Sequence, residues 1–198
     1  MSLSRALSVF TPEEYLALER QSEIRHEFLD GTVYAMAGES PKHSAICFNL
    51  AGALHPQLRG TPCCGFSPNM KVRAGEAGLY AYPDLAIACG KTFFHDRHGD
   101  VLLNPSVIFE VLSRSTEAYD RAEKFERYKT IETLRDYVLV SQDYVLVSQD
   151  QPRLEHFSRQ PDGIWTRAEL SGTAALVLDS INCRIALADV YERISFAG

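Results

Sequence analysis

Two short apolar runs each carry one carboxylate that such a run should not tolerate: Tyr82-Pro83-Asp84-Leu85-Ala86-Ile87-Ala88-Cys89 and Ser106-Val107-Ile108-Phe109-Glu110-Val111-Leu112. A strand that is apolar at nearly every other position is buried on both faces. An ionised carboxylate survives there only if a cation or several hydrogen bonds compensate it. On neighbouring strands, Asp84 and Glu110 would form a site that is costly when empty and well matched to a hard, oxygen-seeking cation such as Mg²⁺. Phosphodiester hydrolysis suits such an ion, which makes water acidic enough to attack and relieves charge on phosphorus and on the departing oxygen.

The elements that must position these acids follow from capping, turn and periodicity signals. Thr11-Pro12-Glu13-Glu14 joins a hydroxyl cap, Pro at the first helical position and Glu three residues after the cap, which predicts a short helix through Leu18. Asp30-Gly31 between the runs at 26–29 and 32–36 predicts a hairpin with a primed turn. Ser40-Pro41 opens a second helix over about 42–58, with Ile46, Leu50 and Leu54 on one face and Pro56 fraying or ending it. Strands are expected at about 63–73, 83–89 and 106–112, with a polar and aromatic loop over 90–100. A third helix runs from Ser115 to about Ile131, then strands at 136–149, 153–158, 164–170 and 176–187, and a short helix near 188–194. Strands and helices mix without a strict βαβ rhythm, so the fold class is α+β, a mixed sheet flanked by helices.

Asp136-Tyr137-Val138-Leu139-Val140-Ser141-Gln142 is repeated unchanged at 143–149. Seven is odd, so one strand running through both copies would reverse the face of every side chain. One copy should serve the sheet, or else the pair forms an added hairpin with its turn at Ser141-Gln142-Asp143.

At 198 residues and 45% hydrophobic content, the chain can bury one substantial core, and a single domain over 1–198 is expected, with about 1–10 as a loose N-terminal segment. No run of eighteen apolar residues exists and the N-terminus lacks the apolar core of a signal peptide, so no membrane association is expected and the location is cytoplasmic. Five cysteines without paired C-x-x-C spacing read as reduced thiols. The net charge of −6 argues against a general polyanion binder, except where acids gather at a metal that reverses the local field.

Pro83-Asp84, Glu110-Val111-Leu112-Ser113, Ser115-Thr116 and Asp120-x-x-x-Lys124-x-x-x-Tyr128 form an ordered series, preceded by Glu27-x-x-Asp30-Gly31 and Ser40-Pro41-x-His43-Ser44 and closed by Leu187-Ala188-Asp189-Val190-Tyr191. The series resembles the PD-(D/E)XK nuclease superfamily, and within it the Uma family of restriction-endonuclease-like proteins. The resemblance implies a restriction-endonuclease-like fold and a Mg²⁺-dependent endonuclease acting on DNA, with Mn²⁺ as a possible substitute. It also implies Asp84 and Glu110 as metal ligands and Glu27 as a further acid beside the metal. The superfamily's usual strand lysine, two residues after the second acid, is replaced here by Leu112; Lys124 on the following helix is the matching source of the ammonium. A homodimer would place one site on each strand of a duplex.

Each residue also has a plainer role open to it. Glu27 could pair with Arg25, and Lys124 with Asp120 four residues earlier on a helix surface. Tyr128 could pack over the site or simply in the core; Lys71 and Arg73 could meet phosphates or face solvent. His43 and Cys47, four apart, could both face a zinc ion, but no second ligand pair has matching spacing. His43 also stands in the first turn of its helix, where free N–H groups could hold a phosphate. His26, His55, His95, His98 and His156 show no triad-like spacing. Two further functions stay open: a relative that binds nucleic acid or regulates without cleaving, which Leu112 and the acidic balance favour, and a metal-dependent hydrolase of another phosphoester.

Overall fold

Val107, Phe109 and Val111 enter one apolar cluster while Ile108 and Leu112 enter another, so the strand they share has protein on both faces. The protein, a computed structural model, is described over residues 9–76, 78–113, 115–142 and 153–195.

Helix α1 (Pro12–Glu19) begins at Thr11, whose hydroxyl accepts the Glu14 N–H while the Glu14 carboxylate accepts the Thr11 N–H, the reciprocal cap expected from the sequence. The hairpin β1 (His26–Leu29) and β2 (Thr32–Ala35) turns at Asp30 and Gly31, with φ of 46° and 90°. Helix α2 (Pro41–Leu58) is capped by the Ser40 hydroxyl and buries Ile46, Leu50, Leu54 and Leu58. Pro56 lies within its last turn and does not stop it. The strand expected at 63–73 is two strands, β3 (Cys63–Phe66) and β4 (Lys71–Ala74), in different sheets. The cause is the Ser67-Pro68-Asn69-Met70 turn: Pro68 cannot donate to a ladder, and Met70 N–H closes back on the Ser67 carbonyl.

Strands β5 (Leu79–Ala81), β6 (Leu85–Cys89), β7 (Val101–Leu102) and β8 (Val107–Leu112) follow; the short β5 and β7 were not expected. The third helix is composite: α3 (Glu117–Tyr119), a π-helical turn over Asp120–Lys124, and α4 (Phe125–Tyr128). After β9 (Asp136–Ser141), β10 (Arg153–Arg159) and β11 (Trp165–Ser171), the strand expected at 176–187 folds back on itself as β12 (Ala175–Leu178) and β13 (Cys183–Ala186), reversing through a 3₁₀ turn at Asp179–Ile181 and left-handed Asn182. Helix α5 (Leu187–Val190) closes the described chain's elements.

One sheet has the order β2-β1-β5-β4-β7 and a larger one β11-β10-β9-β8-β6-β3. In the larger sheet β8 pairs antiparallel with β6 and parallel with β9, so the sheet is mixed. One face packs on α2, β12, β13 and α5; the other packs on α4 and on apolar residues of the smaller sheet. The first copy of the repeat is β9; the second, 143–149, lies outside the described residues. The expectation of five reduced cysteines is corrected: Cys63 and Cys89 sit opposite each other across β3 and β6 and form a disulfide. Cys47, Cys64 and Cys183 are free thiols.

Candidate active site

Strand register sets the two acids against each other. Leu85 lies opposite Phe109, Ala86 opposite Ile108 and Ile87 opposite Val107; continued by one residue, this antiparallel pairing places Asp84 opposite Glu110. Asp84 Oδ2 accepts the Val111 N–H at 2.6 Å and lies 3.3 Å from His43 Nε2, which reaches it from α2. Glu110, 4% exposed, accepts the Tyr128 hydroxyl on Oε1 at 3.2 Å, and Lys124 Nζ lies 3.0 Å from the same oxygen. Glu27 arrives from β1; its Oε1 accepts the Tyr82 N–H at 3.1 Å and Lys124 Nζ at 3.1 Å. The linker from β5 to β6 therefore carries both the donor to Glu27 and the acid Asp84.

Lys124 owes its position to the π turn. Widening the helix by one residue per turn changes the direction of the side chains that follow, and such bulges recur at functional sites. The Tyr137 hydroxyl donates to the Asp120 carbonyl at 2.9 Å, giving that widened turn a partner from β9. Asp120 Oδ1 lies 3.6 Å from Lys124 Nζ, and the Tyr119 ring lies under the ammonium at 5.9 Å. The Asp120–Lys124 pair, which could have been a surface ion pair, is buried.

The electrostatics follow from three acids around one lysine, with Asp84 acting on Glu110 from the other side of the pair. Burial, and then the Asp120, Asp84 and Glu27 carboxylates, push the Glu110 carboxyl well above its ordinary range, against the pull of Lys124. Burial also raises Asp120. Burial disfavours charge on Lys124, but Glu110, Glu27 and Asp120 outweigh it and hold the ammonium well above its ordinary range. For His43, burial opposes the charged ring, yet the Asp84 contact prevails and lifts its pKa from 6.5 to about 11.

The donor set fits a hard divalent cation. Among the described residues, the hydrogen bonds and ion-pair distances of Asp84 fall on Oδ2, those of Glu110 on its Oε1 and those of Glu27 on its Oε1. Among the described residues, Asp84 Oδ1, Glu110 Oε2 and Glu27 Oε2 accept no hydrogen bond, so each carboxylate is clamped by one oxygen and offers the other. Excess negative charge with spare carboxylate oxygens is the chemistry of Mg²⁺ and Mn²⁺ sites.

All four residues singled out from sequence, Asp84, Glu110, Glu27 and Lys124, thus meet at one place. Arg25 does not pair with Glu27; it donates to the Pro68 carbonyl at 2.9 Å. Lys71 is buried between Tyr82 and Asp100, and Arg73 contacts His95, so neither reaches the acids. His26 is held by Glu19 and His156 by Asp136. Sequence reasoning missed the Tyr82 N–H and the His43 contact with Asp84. The first carries no signal in a residue type; the second shows only once α2 is laid on the sheet.

The Uma2 family, described as "Putative restriction endonuclease", matches residues 12–188. Two Synechocystis sp. proteins are similar: slr1290, 33% identical over 187 residues covering 94% of this chain and 93% of its own, and sll1609, 32% identical over 175 residues covering 88% and 95%. The crystal structure titled as "a putative nuclease belonging to DUF820" from Anabaena variabilis superposes with a TM-score of 0.68, covering 92% of this chain and 97% of its own at 15% identity. That likeness shows a shared restriction-endonuclease-like fold, and the match over nearly the whole chain makes this protein a member of the Uma2 family.

Proposed function

We propose that this protein is a metal-dependent endonuclease that hydrolyses DNA phosphodiester bonds. One observation carries the reading: the β6–β8 register, continued by one residue, opposes Asp84 and Glu110 beside a buried ammonium, and among the described residues each acid keeps one oxygen without a hydrogen bond. Asp84 and Glu110 would hold Mg²⁺, with Mn²⁺ as a substitute, and Glu27 would contribute its second oxygen. Bound there, the ion would supply an acidic water and charge relief on the phosphate. The backbone N–H of Val111 and the Tyr128 hydroxyl fix the two carboxylates before substrate arrives, so less ordering is needed at the moment of reaction. Lys124 remains an ammonium, because three carboxylates hold its proton. It therefore orients the attacking water and neutralises phosphate charge rather than removing a proton. A homodimer would bring two such sites to the two strands.

The test is supercoiled plasmid with Mg²⁺ or Mn²⁺, wild type beside Asp84→Asn and Glu110→Gln. Metal-dependent nicking is expected, reduced by at least about a hundredfold in both variants. Mobility shift without nicking would instead support a binding relative that has lost cleavage, the reading that Leu112 and the net charge of −6 favour. Light scattering on the purified protein reports the dimer.

A further inference from the structure

We propose that Glu39, His43 and Cys47 form a separate site for a thiophilic divalent cation of the zinc class, held on the flank of α2 and joined through His43 to Asp84. One ligand atom from each residue lies within 4.8 Å of the others. His43 and Cys47 are four apart on α2 and share one face, and Glu39, on the segment just before the Ser40 cap, reaches the same place. His43 Nδ1 lies 3.0 Å from Glu39 Oε2 and 3.6 Å from Cys47 Sγ, so the same ring nitrogen faces both other donors. The donor set of thiolate, imidazole and carboxylate selects zinc-class ions over Mg²⁺, which takes oxygen ligands.

The other ring nitrogen supplies the second, independent argument. A histidine bound to zinc commonly donates its remaining N–H to a carboxylate, which fixes the tautomer and strengthens the ligand. His43 Nε2 already lies 3.3 Å from Asp84 Oδ2, so metal on Nδ1 leaves that contact in place. An ion would bind Nδ1 in its unprotonated form and the Cys47 thiolate, so that any proton these atoms carry is released to solvent on binding. Glu39 is exposed and His43 and Cys47 are half-buried, so an ion can enter from solvent and a fourth position is left for water. The site is distinct from the acidic one, because none of its three ligands is Asp84, Glu110 or Glu27.

Cobalt(II) titration of the full chain tests this directly, since a Co²⁺–thiolate bond gives a near-ultraviolet charge-transfer band that oxygen ligands do not. Wild type should show the band at one equivalent and lose it on adding Zn²⁺. Cys47→Ala should abolish it, and Cys64→Ser should leave it unchanged. Asp84→Asn should keep the band with affinity roughly tenfold weaker. Glu39→Gln, at an exposed position, should also weaken cobalt affinity at least roughly tenfold and serves if Cys47→Ala does not fold. No band in wild type, a band that persists in Cys47→Ala or vanishes in Cys64→Ser, or unchanged affinity in Glu39→Gln would overturn the site. None of these readouts depends on DNA cleavage.

Discussion

The ammonium of Lys124 lies 3.1 Å from Glu27 and 3.0 Å from Glu110, with Asp120 at 3.6 Å, and only 4% of the residue is exposed. Removing one partner of such a buried group leaves charges without compensation. Lys124→Met should therefore lose nicking and cost about 3–5 kcal/mol in urea unfolding without metal. Added Mg²⁺ should raise its melting temperature more than that of wild type, because an ion then supplies the missing positive charge. Leu112 lies two residues beyond Glu110 on β8 and shares its face, so Leu112→Lys combined with Lys124→Met should recover part of the nicking that Lys124→Met alone loses. A second test lies away from the acids. Arg20 and Lys71 hold the Asp100 carboxyl below its ordinary range against the effect of burial. A carboxyl lowered in the folded state stabilises fully above its unfolded pKa of about 4 and progressively less as the pH falls below it. The stability gap between wild type and Asp100→Asn in urea titrations should be constant from pH 7 to about 5 and close toward pH 2. The two central acids were readable from sequence because a charge inside an apolar run is an anomaly on its face. Lys124 was legible only through family resemblance, since its spacing from Asp120 fits an ordinary surface pair equally well.

At the level of elements, local rules succeeded where the local signal was complete. The Thr11 cap and the Asp30-Gly31 turn each contain all their determinants within a few residues. Gly31 has φ of 90°, and a Cβ there would stand 2.7 Å from Val9 Cγ1. Gly31→Ala should lower stability by about 1–2 kcal/mol, mostly from backbone strain, with the melting temperature as the readout. The expectation of single strands at 63–73 and 176–187 passes over a turn inside each, Ser67-Pro68-Asn69 in the first and Asn182 in the second. A left-handed asparagine such as Asn182 is not a strong break in a sequence pattern, and β4 shows its allegiance to the smaller sheet only through tertiary pairing. The π turn has no signature either, because it is the extra residue held by the Tyr137 hydroxyl that makes it.

For the molecule as a whole, the mixed sheet was foreseeable from strands and helices alternating without a βαβ rhythm, but the division into two sheets was not. The repeat offers a test at this scale. Pairing between β9 and β10 runs from Asp136 with Ser158 to Val140 with Leu154, all within the first copy. Deleting either copy yields the same chain, in which Gln142, Asp150, Gln151 and Pro152 would connect Ser141 to Arg153, a four-residue hairpin loop of common length. The deletion should therefore keep the wild-type circular dichroism spectrum and any nicking activity; loss of either would show that both copies are needed. The placement of the four charged residues has a further effect. Glu27 belongs to one sheet, Glu110 to another, Asp84 to the segment between them and Lys124 to a turn supported by β9. A chain still emerging from the ribosome owns these residues but not their meeting point, so the site comes into being only once both sheets have formed.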